Sequence, residues 1–247
     1  MHSTIHYQPL LVALSYVISV FGSYTALQLA MAIPQAKDGK AVFRAVAAAA
    51  VALGGGAIWS MHFIAMTAAD MGVPVSYDAT LTYLSLAMGI GASAVGLYLV
   101  GRTGGHIVML IAGGTFTGLG VAFMHYTGMA AMIMPVRMGY DMTLFLLSIA
   151  IAVVAACVAL WLAFNLRGNL QRVGSALVMG VAVCGMHYTG MYAVQMDHEV
   201  KSFVDAAGSL TLSASGLAYT VFAITAVLLT LLLGFNAKAR RTLARQA

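Results

Sequence analysis

Charged side chains are scarce in this sequence. Asp, Glu, Lys and Arg make up 8% of its 247 residues and hydrophobic residues 62%, which excludes an ordinary soluble domain. Cysteine occurs only at Cys157 and Cys184. Both fall inside apolar stretches, so no disulfide framework is read from them and they count as small buried residues. No charged leader with a short apolar run and a small-residue cleavage site opens the chain, so a cleaved signal peptide is not expected. Glycine runs such as Gly54-Gly55-Gly56 lack the strand-turn-helix setting and the GKS or GKT ending of a phosphate-binding loop. They read instead as points of close helix contact.

Long apolar runs are what the sequence has in abundance. They occupy roughly 9–33, 44–69, 79–100, 106–134, 143–165, 173–196 and 215–236, each able to cross a hydrocarbon core of about 30 Å as a helix. The predicted fold is therefore all-α, a polytopic bundle of seven transmembrane helices in which 1–247 forms one integral membrane domain. Lys37, Lys40, Arg44, Arg102, Arg167, Arg172, Lys238, Arg240, Arg241 and Arg245 fall on one side of that bundle, leaving Arg137 and Lys201 on the other. The positive-inside rule then puts the amino terminus outside and the carboxyl terminus in the cytoplasm of a multi-pass membrane protein. Asp70, Asp78, Asp141, Asp197, Glu199 and Asp205 show the reverse bias. The basic ending AKARRTLARQA reads as an anchor against anionic membrane lipid, not as a nucleic-acid surface.

An internal repeat runs through the apolar segments. MHYTGM occupies Met124–Met129 and Met186–Met191, and a looser copy, MHFIAM, occupies Met61–Met66. His62 and His125 are 63 positions apart, and His125 and His187 are 62 apart, so the repeating unit is a pair of spans. An even number of spans keeps every copy in one membrane orientation. The motif-bearing helices, at approximately 44–69, 106–134 and 173–196, place their histidines in one layer toward the outer face. Residues four apart share a helix face, which pairs His62 with Met66, His125 with Met129 and His187 with Met191. Met61, Met124 and Met186 lie about 100° around each helix and flank the same layer. The loose copy has Phe63 and Ile64 where the others have Tyr126 and Thr127, or Tyr188 and Thr189. Imidazole and thioether are thus what all three copies retain.

An imidazolium is costly in lipid, so matched histidines either stay neutral in a hydrogen-bond network or bind a metal. The network would use Tyr126, Tyr188, Thr127 and Thr189. Repeated thioethers favour the metal, because a hydrogen-bond network gains little from methionine. Imidazole with thioether suits copper; zinc rarely needs methionine, and hard cations need oxygen ligands that no acidic triplet supplies at this depth. Haem iron also takes histidine and methionine axially, so haem or another transition metal stays as the alternative. Met71, Met132, Met134, Met138, Met142 and Met196, with His2, His6 and His198, lie on the outer side as a candidate metal route. His106 lies near the opposite face.

On these residues the chain resembles the MHYT-domain integral membrane proteins, a family of bacterial membrane sensor domains named for the tetrapeptide at Met124–Thr127 and Met186–Thr189. The resemblance implies a sensor or signalling role, with copper held near the outer face by His62, His125, His187, Met61, Met66, Met124, Met129, Met186 and Met191. It also implies recognition of a diatomic gas: oxygen, carbon monoxide or nitric oxide. Relatives of this kind join the membrane part to cytoplasmic domains that make or degrade a cyclic dinucleotide. No GGDEF or EAL signature occurs in this sequence, so neither activity carries over and an enzyme is not expected. A separate membrane or cytoplasmic signalling partner would then read its state, and a homo-oligomer is left open. Two other readings compete. A copper-handling or transport protein needs ligands at successive depths, whereas the histidine-methionine layer is one-sided and the inner half has only the scattered Met31, Met109 and Met179. A metal-dependent membrane oxidoreductase would use the phenols of Tyr126 and Tyr188.

Overall fold

Backbone polar groups within lipid must be satisfied inside their own segment, which makes helices the solution for apolar runs of this length. The computed structural model describes residues 5–165, 168–197 and 210–244. It contains helices α1 (Pro9–Ala30), α2 (Gly39–Ala50), α3 (Ser60–Ala68), α4 (Ala79–Arg102), α5 (Ile107–Ala130), α6 (Met142–Asn165), α7 (Asn169–Tyr192) and α8 (Ala214–Ala244). A π-helical segment, Val51–Trp59, joins α2 to α3, so that Gly39–Ala68 is continuous. His2, Arg167, His198, Glu199, Lys201, Asp205 and Arg245 lie outside the described residues.

The helix starts are encoded locally. Asp38, Asp78 and Asp141 each accept a bond from the backbone three residues on, at Ala41, Leu81 and Leu144, over 2.8, 2.8 and 3.0 Å. These bonds satisfy donors that every helix start leaves free. Pro9 opens α1, where its missing N–H costs nothing.

Six helices among the described residues are long and apolar enough to cross a membrane: Pro9–Ala30, Gly39–Ala68, Ala79–Arg102, Ile107–Ala130, Met142–Asn165 and Asn169–Tyr192. The predicted seventh span lies in α8, whose apolar stretch among the described residues, Gly216–Leu228, is shorter than a crossing requires. The bundle is therefore an all-α polytopic one of six qualifying spans in two-helix groups.

The groups close into a ring. Going round it, α1 packs on α3 and the π segment, the π segment on α4, α4 on α5, α5 on α6, α6 on α7, and α7 back on α1. α8 lies against α1 and α3. Glycine sets the tightest approaches: a Cβ at Gly54 would collide with the backbone of Gly89, and one at Gly118 with that of Val153. Gly118 stands seven residues before its histidine and Gly54 eight before. The π segment takes up the extra residue, with the backbone N–H of Ser60 bonded five residues back to Gly55.

Short strands close one end of the ring, and hydropathy gave no sign of them. β1 (His6–Tyr7) pairs with β2 (Ala69–Asp70), β3 (Ser76–Asp78) with β4 (Met132–Ile133), and β5 (Arg137–Tyr140) with β6 (Val194–Asp197), all antiparallel. β7 (Thr211–Leu212) adds to the free edge of β3. Each pair ties the segment before a repeat's first helix to the segment after its motif helix. Beside each pair runs a matching bond: Gln8 N–H to Ala68 O at 2.9 Å, Asp78 to Ala131 at 2.8 Å and Asp141 to Ala193 at 2.7 Å. The apolar stretches 106–134 and 173–196 consequently overrun their helices, because Met132–Ile133 and Val194–Asp197 leave the helix for these ladders.

Candidate metal centre

His62 on α3, His125 on α5 and His187 on α7 come from three different repeats and meet on the axis of the ring. Each stands five or six residues before its helix end, which is roughly 7.5 to 9 Å below the strands at a 1.5 Å rise. Measured to the ends of the apolar stretches 106–134 and 173–196, His125 and His187 would lie deeper, because the last residues of those stretches are strand. The three rings are nearly inaccessible, at 1% exposure each.

The Nδ1 atoms converge. That of His62 lies 3.0 Å from Nδ1 of His187 and 3.1 Å from Nδ1 of His125. Ring centroids are 4.8, 5.0 and 5.2 Å apart and the planes stand at 73 to 86° to one another. The opposite nitrogens, Nε2 of all three, are buried without a hydrogen-bond partner. A neutral imidazole has one N–H and one lone pair. Without a cation, the three inward nitrogens can at best direct two protons at the single lone pair of His62, which is poor pairing in a dry site. A metal ion would take all three inward lone pairs at once, leaving the protons on Nε2. The donor set therefore fits a metal better than it fits a closed hydrogen-bond network.

The motif hydroxyls expected to complete such a network are engaged elsewhere. Tyr126 Oη lies 2.6 Å from Ser148 Oγ on α6, and Tyr188 Oη 3.5 Å from Ser15 Oγ on α1. Thr127 donates to the sulfur of Met88 at 3.7 Å, and Thr189 to the carbonyl of Gly185 at 2.7 Å. The loose copy has no phenol, yet its seam is bridged: Trp59 Nε1 donates to Ser85 Oγ on α4 at 3.0 Å. Ser15, Ser85 and Ser148 occupy one repeated position, seven residues after Gln8, Asp78 and Asp141. Sequence reasoning missed these serines and Trp59. Their common distance from the start of each helix was the signal available.

Glycine makes room for the rings. A Cβ at Gly128 would strike Nε2 of His62, and one at Gly190 would strike Nε2 of His125. Each motif glycine thus accommodates the histidine of the preceding repeat. Met61, Met66, Met124, Met129, Met186 and Met191 are all buried. Met124 packs toward Gly89 on α4. Of the outer methionines, Met132, Met138 and Met196 are strand residues packed on the core, while Met142 is exposed. His6 lies in β1, and His106 stands before α5 at the end opposite the strands.

The sequence profile described as "MHYT: Bacterial signalling protein N terminal repeat" matches three successive segments, residues 55–113, 118–176 and 180–247. The chain is 44% identical over 207 residues to the bifunctional diguanylate cyclase/cyclic di-GMP phosphodiesterase MucR of Pseudomonas aeruginosa, covering 82% of this chain and 30% of that protein. It is 35% identical over 195 residues to the cyclic di-GMP phosphodiesterase NbdA of the same organism, covering 76% and 24%. The signaling protein YkoW of Bacillus subtilis is 34% identical over 197 residues, again covering 76% and 24%. The chain thus spans less than a third of the length of these relatives. No solved structure matches it.

Proposed function

This chain belongs to the MHYT family of bacterial signalling proteins, and from that premise we propose that it is a copper-binding sensor module of the cell inner membrane. One observation carries the reading: three Nδ1 atoms from three repeats converge in a site with no other polar partner among the described residues. His62, His125 and His187 would hold the ion. Met66, Met129 and Met191, on the same helix faces, would supply thioether sulfur, with Met61, Met124 and Met186 flanking. Imidazole with thioether favours copper over zinc or a hard cation, and haem or another transition metal is the alternative. Bound copper would supply a redox-active centre with affinity for oxygen, carbon monoxide or nitric oxide.

The chain's own residues would turn that event into a signal. Each histidine shares a helix with a side chain bonded across to a neighbouring helix, through Tyr126–Ser148, Tyr188–Ser15 or Trp59–Ser85. A change in the spacing of the histidines would therefore shift the contacts between repeats. Residues 1–247 would act as one membrane domain with the strands outside, α8 completing a seventh crossing and the carboxyl terminus in the cytoplasm. Lys37, Lys40, Arg102 and Arg172 at the end opposite the strands support that orientation. Relatives named for making and degrading cyclic di-GMP suggest a cytoplasmic output of that class, on a separate partner or further domain.

The test is metal analysis of the detergent-purified chain after copper reconstitution, with optical and paramagnetic resonance spectra. One copper per chain is expected, lost on replacing His62, His125 or His187 by alanine and kept in His106→Ala. Retention of copper by the triple-histidine variant would reject the site, and a haem spectrum would replace copper by haem.

A further inference from the structure

On the side of the histidines away from the strands lies a cavity of about 40 Å³. Ile58, Val121 and Val183 line it. Each stands four residues before a motif histidine, so all three share a face with their imidazoles one turn away. Ala152, Ala155, Ala156 and Ala159 of α6 form the opposite wall. Thr117 contributes the one hydroxyl, already donated to the carbonyl of Ala92 at 3.2 Å. A water needs two to four polar partners and about 10–15 Å³ of such space. This cavity has the space and lacks the partners, so it suits a small apolar guest and not water.

The cavity also has a side opening. Ile58, Ala156 and Met186 are buried, whereas Ala155, Ala159, Ala182 and Val183 are half-exposed. Those four residues face each other across the seam between α6 and α7, beside the outward-facing Val154 and Val181. Repetition explains why this seam is open. At the matching seams one partner is glycine, Gly22 against Ala57 and Gly120 against Ala92, and the helices close tightly. In the third repeat both corresponding positions, Ala155 and Ala182, carry a methyl group. Strands cover the opposite, outer side of the histidines.

We infer that this cavity is a chamber for a dioxygen-sized apolar molecule, which reaches the histidine centre sideways from the hydrocarbon phase between α6 and α7. Apolar gases concentrate in hydrocarbon relative to water, so a membrane-facing seam is the short route to this buried layer. What the molecule meets beyond the chamber rests on the metal reading above; the existence of the chamber does not.

Xenon tests the chamber in the full chain reconstituted in phospholipid nanodiscs. Xenon NMR should show a saturable site in the metal-free protein. Ala182→Leu, which blocks the seam, should abolish it, and Val183→Ala, which only removes atoms, should keep or strengthen it. In cuprous protein, carbon monoxide association should slow at least tenfold in Ala182→Leu at unchanged metal content. No saturable xenon in folded wild-type protein overturns the chamber. Equal carbon monoxide rates in wild type and folded Ala182→Leu overturn the lateral route. If Ala182→Leu does not fold, an unaltered rate in Val183→Ala overturns the route and a faster one supports it. A protein that binds xenon but no metal keeps the chamber and loses the sensor reading.

Discussion

At Gly190 a single methyl group would collide with the Nε2 side of His125, and at Gly128 with that of His62. The same substitution at Gly185, five residues away on α7, meets nothing. Gly190→Ala should therefore cut copper occupancy at least tenfold, because the imidazole cannot stay where it is. Gly185→Ala should leave occupancy intact and raise stability by about 0.5–1 kcal/mol through helix propensity alone. Metal content and thermal unfolding of the two variants check this; equal occupancy would remove the glycine from the site. The histidines themselves were legible in the sequence, since they recur in matched surroundings. Which neighbour each glycine accommodates was not, because the contact joins different repeats.

Individual elements are held by local devices of ordinary strength. The Asp141 carboxylate caps α6 through Leu144 N–H at 3.0 Å. Asp141→Ala should cost about 1 kcal/mol, read as a lower melting temperature with metal binding unchanged. Tyr77 in β3 packs edge-on to Phe63 with ring centroids 5.9 Å apart. Burial pushes its phenol from the usual 10.0 up to about 12. The unfolded chain then gives up this proton first, so stability is full below pH 10 and falls as pH climbs toward about 12. Tyr77→Phe should flatten that alkaline limb in a melting series; an unchanged limb would assign it to other groups. Trp59 behaves as the loose copy's replacement for a motif phenol, since its indole reaches Ser85 at 3.0 Å. Trp59→Phe should weaken the seam to α4 by roughly 0.5–1.5 kcal/mol, because it removes the indole bond while Ser85 keeps its own bond to the Thr82 carbonyl. Ser85→Ala in the same background should add little. A double-mutant cycle on unfolding measures that coupling.

The whole molecule is a closed ring in which each strand ladder ties up one repeat, while neighbouring repeats meet through packing, the Tyr126–Ser148, Tyr188–Ser15 and Trp59–Ser85 bonds and the central histidines. An ion at the centre would link all three repeats in the folded state and none in the unfolded chain. At free copper 100-fold above the dissociation constant, the gain is about 2.7 kcal/mol. Chelation should lower the melting temperature of wild type accordingly. In His125→Ala that difference should disappear, and its persistence would place the ion elsewhere.

The sequence alone determined that this is an all-α membrane bundle built from two-helix units, since scarcity of charge, run length and the 63- and 62-residue spacing are properties of the linear chain. It also marked His62, His125 and His187, because lipid makes a repeated polar residue conspicuous. Its seventh span was not matched by the described apolar length of α8, and its motif tyrosines turned out to bond across seams instead of to imidazole. Tertiary structure decided those points, along with the strand cap, the serine partners, the convergence on Nδ1 and the open seam at Ala155 and Ala182. Each depends on which residues of different repeats face one another. Hydropathy and periodicity describe a helix one face at a time, whereas ring closure sets the distances between faces.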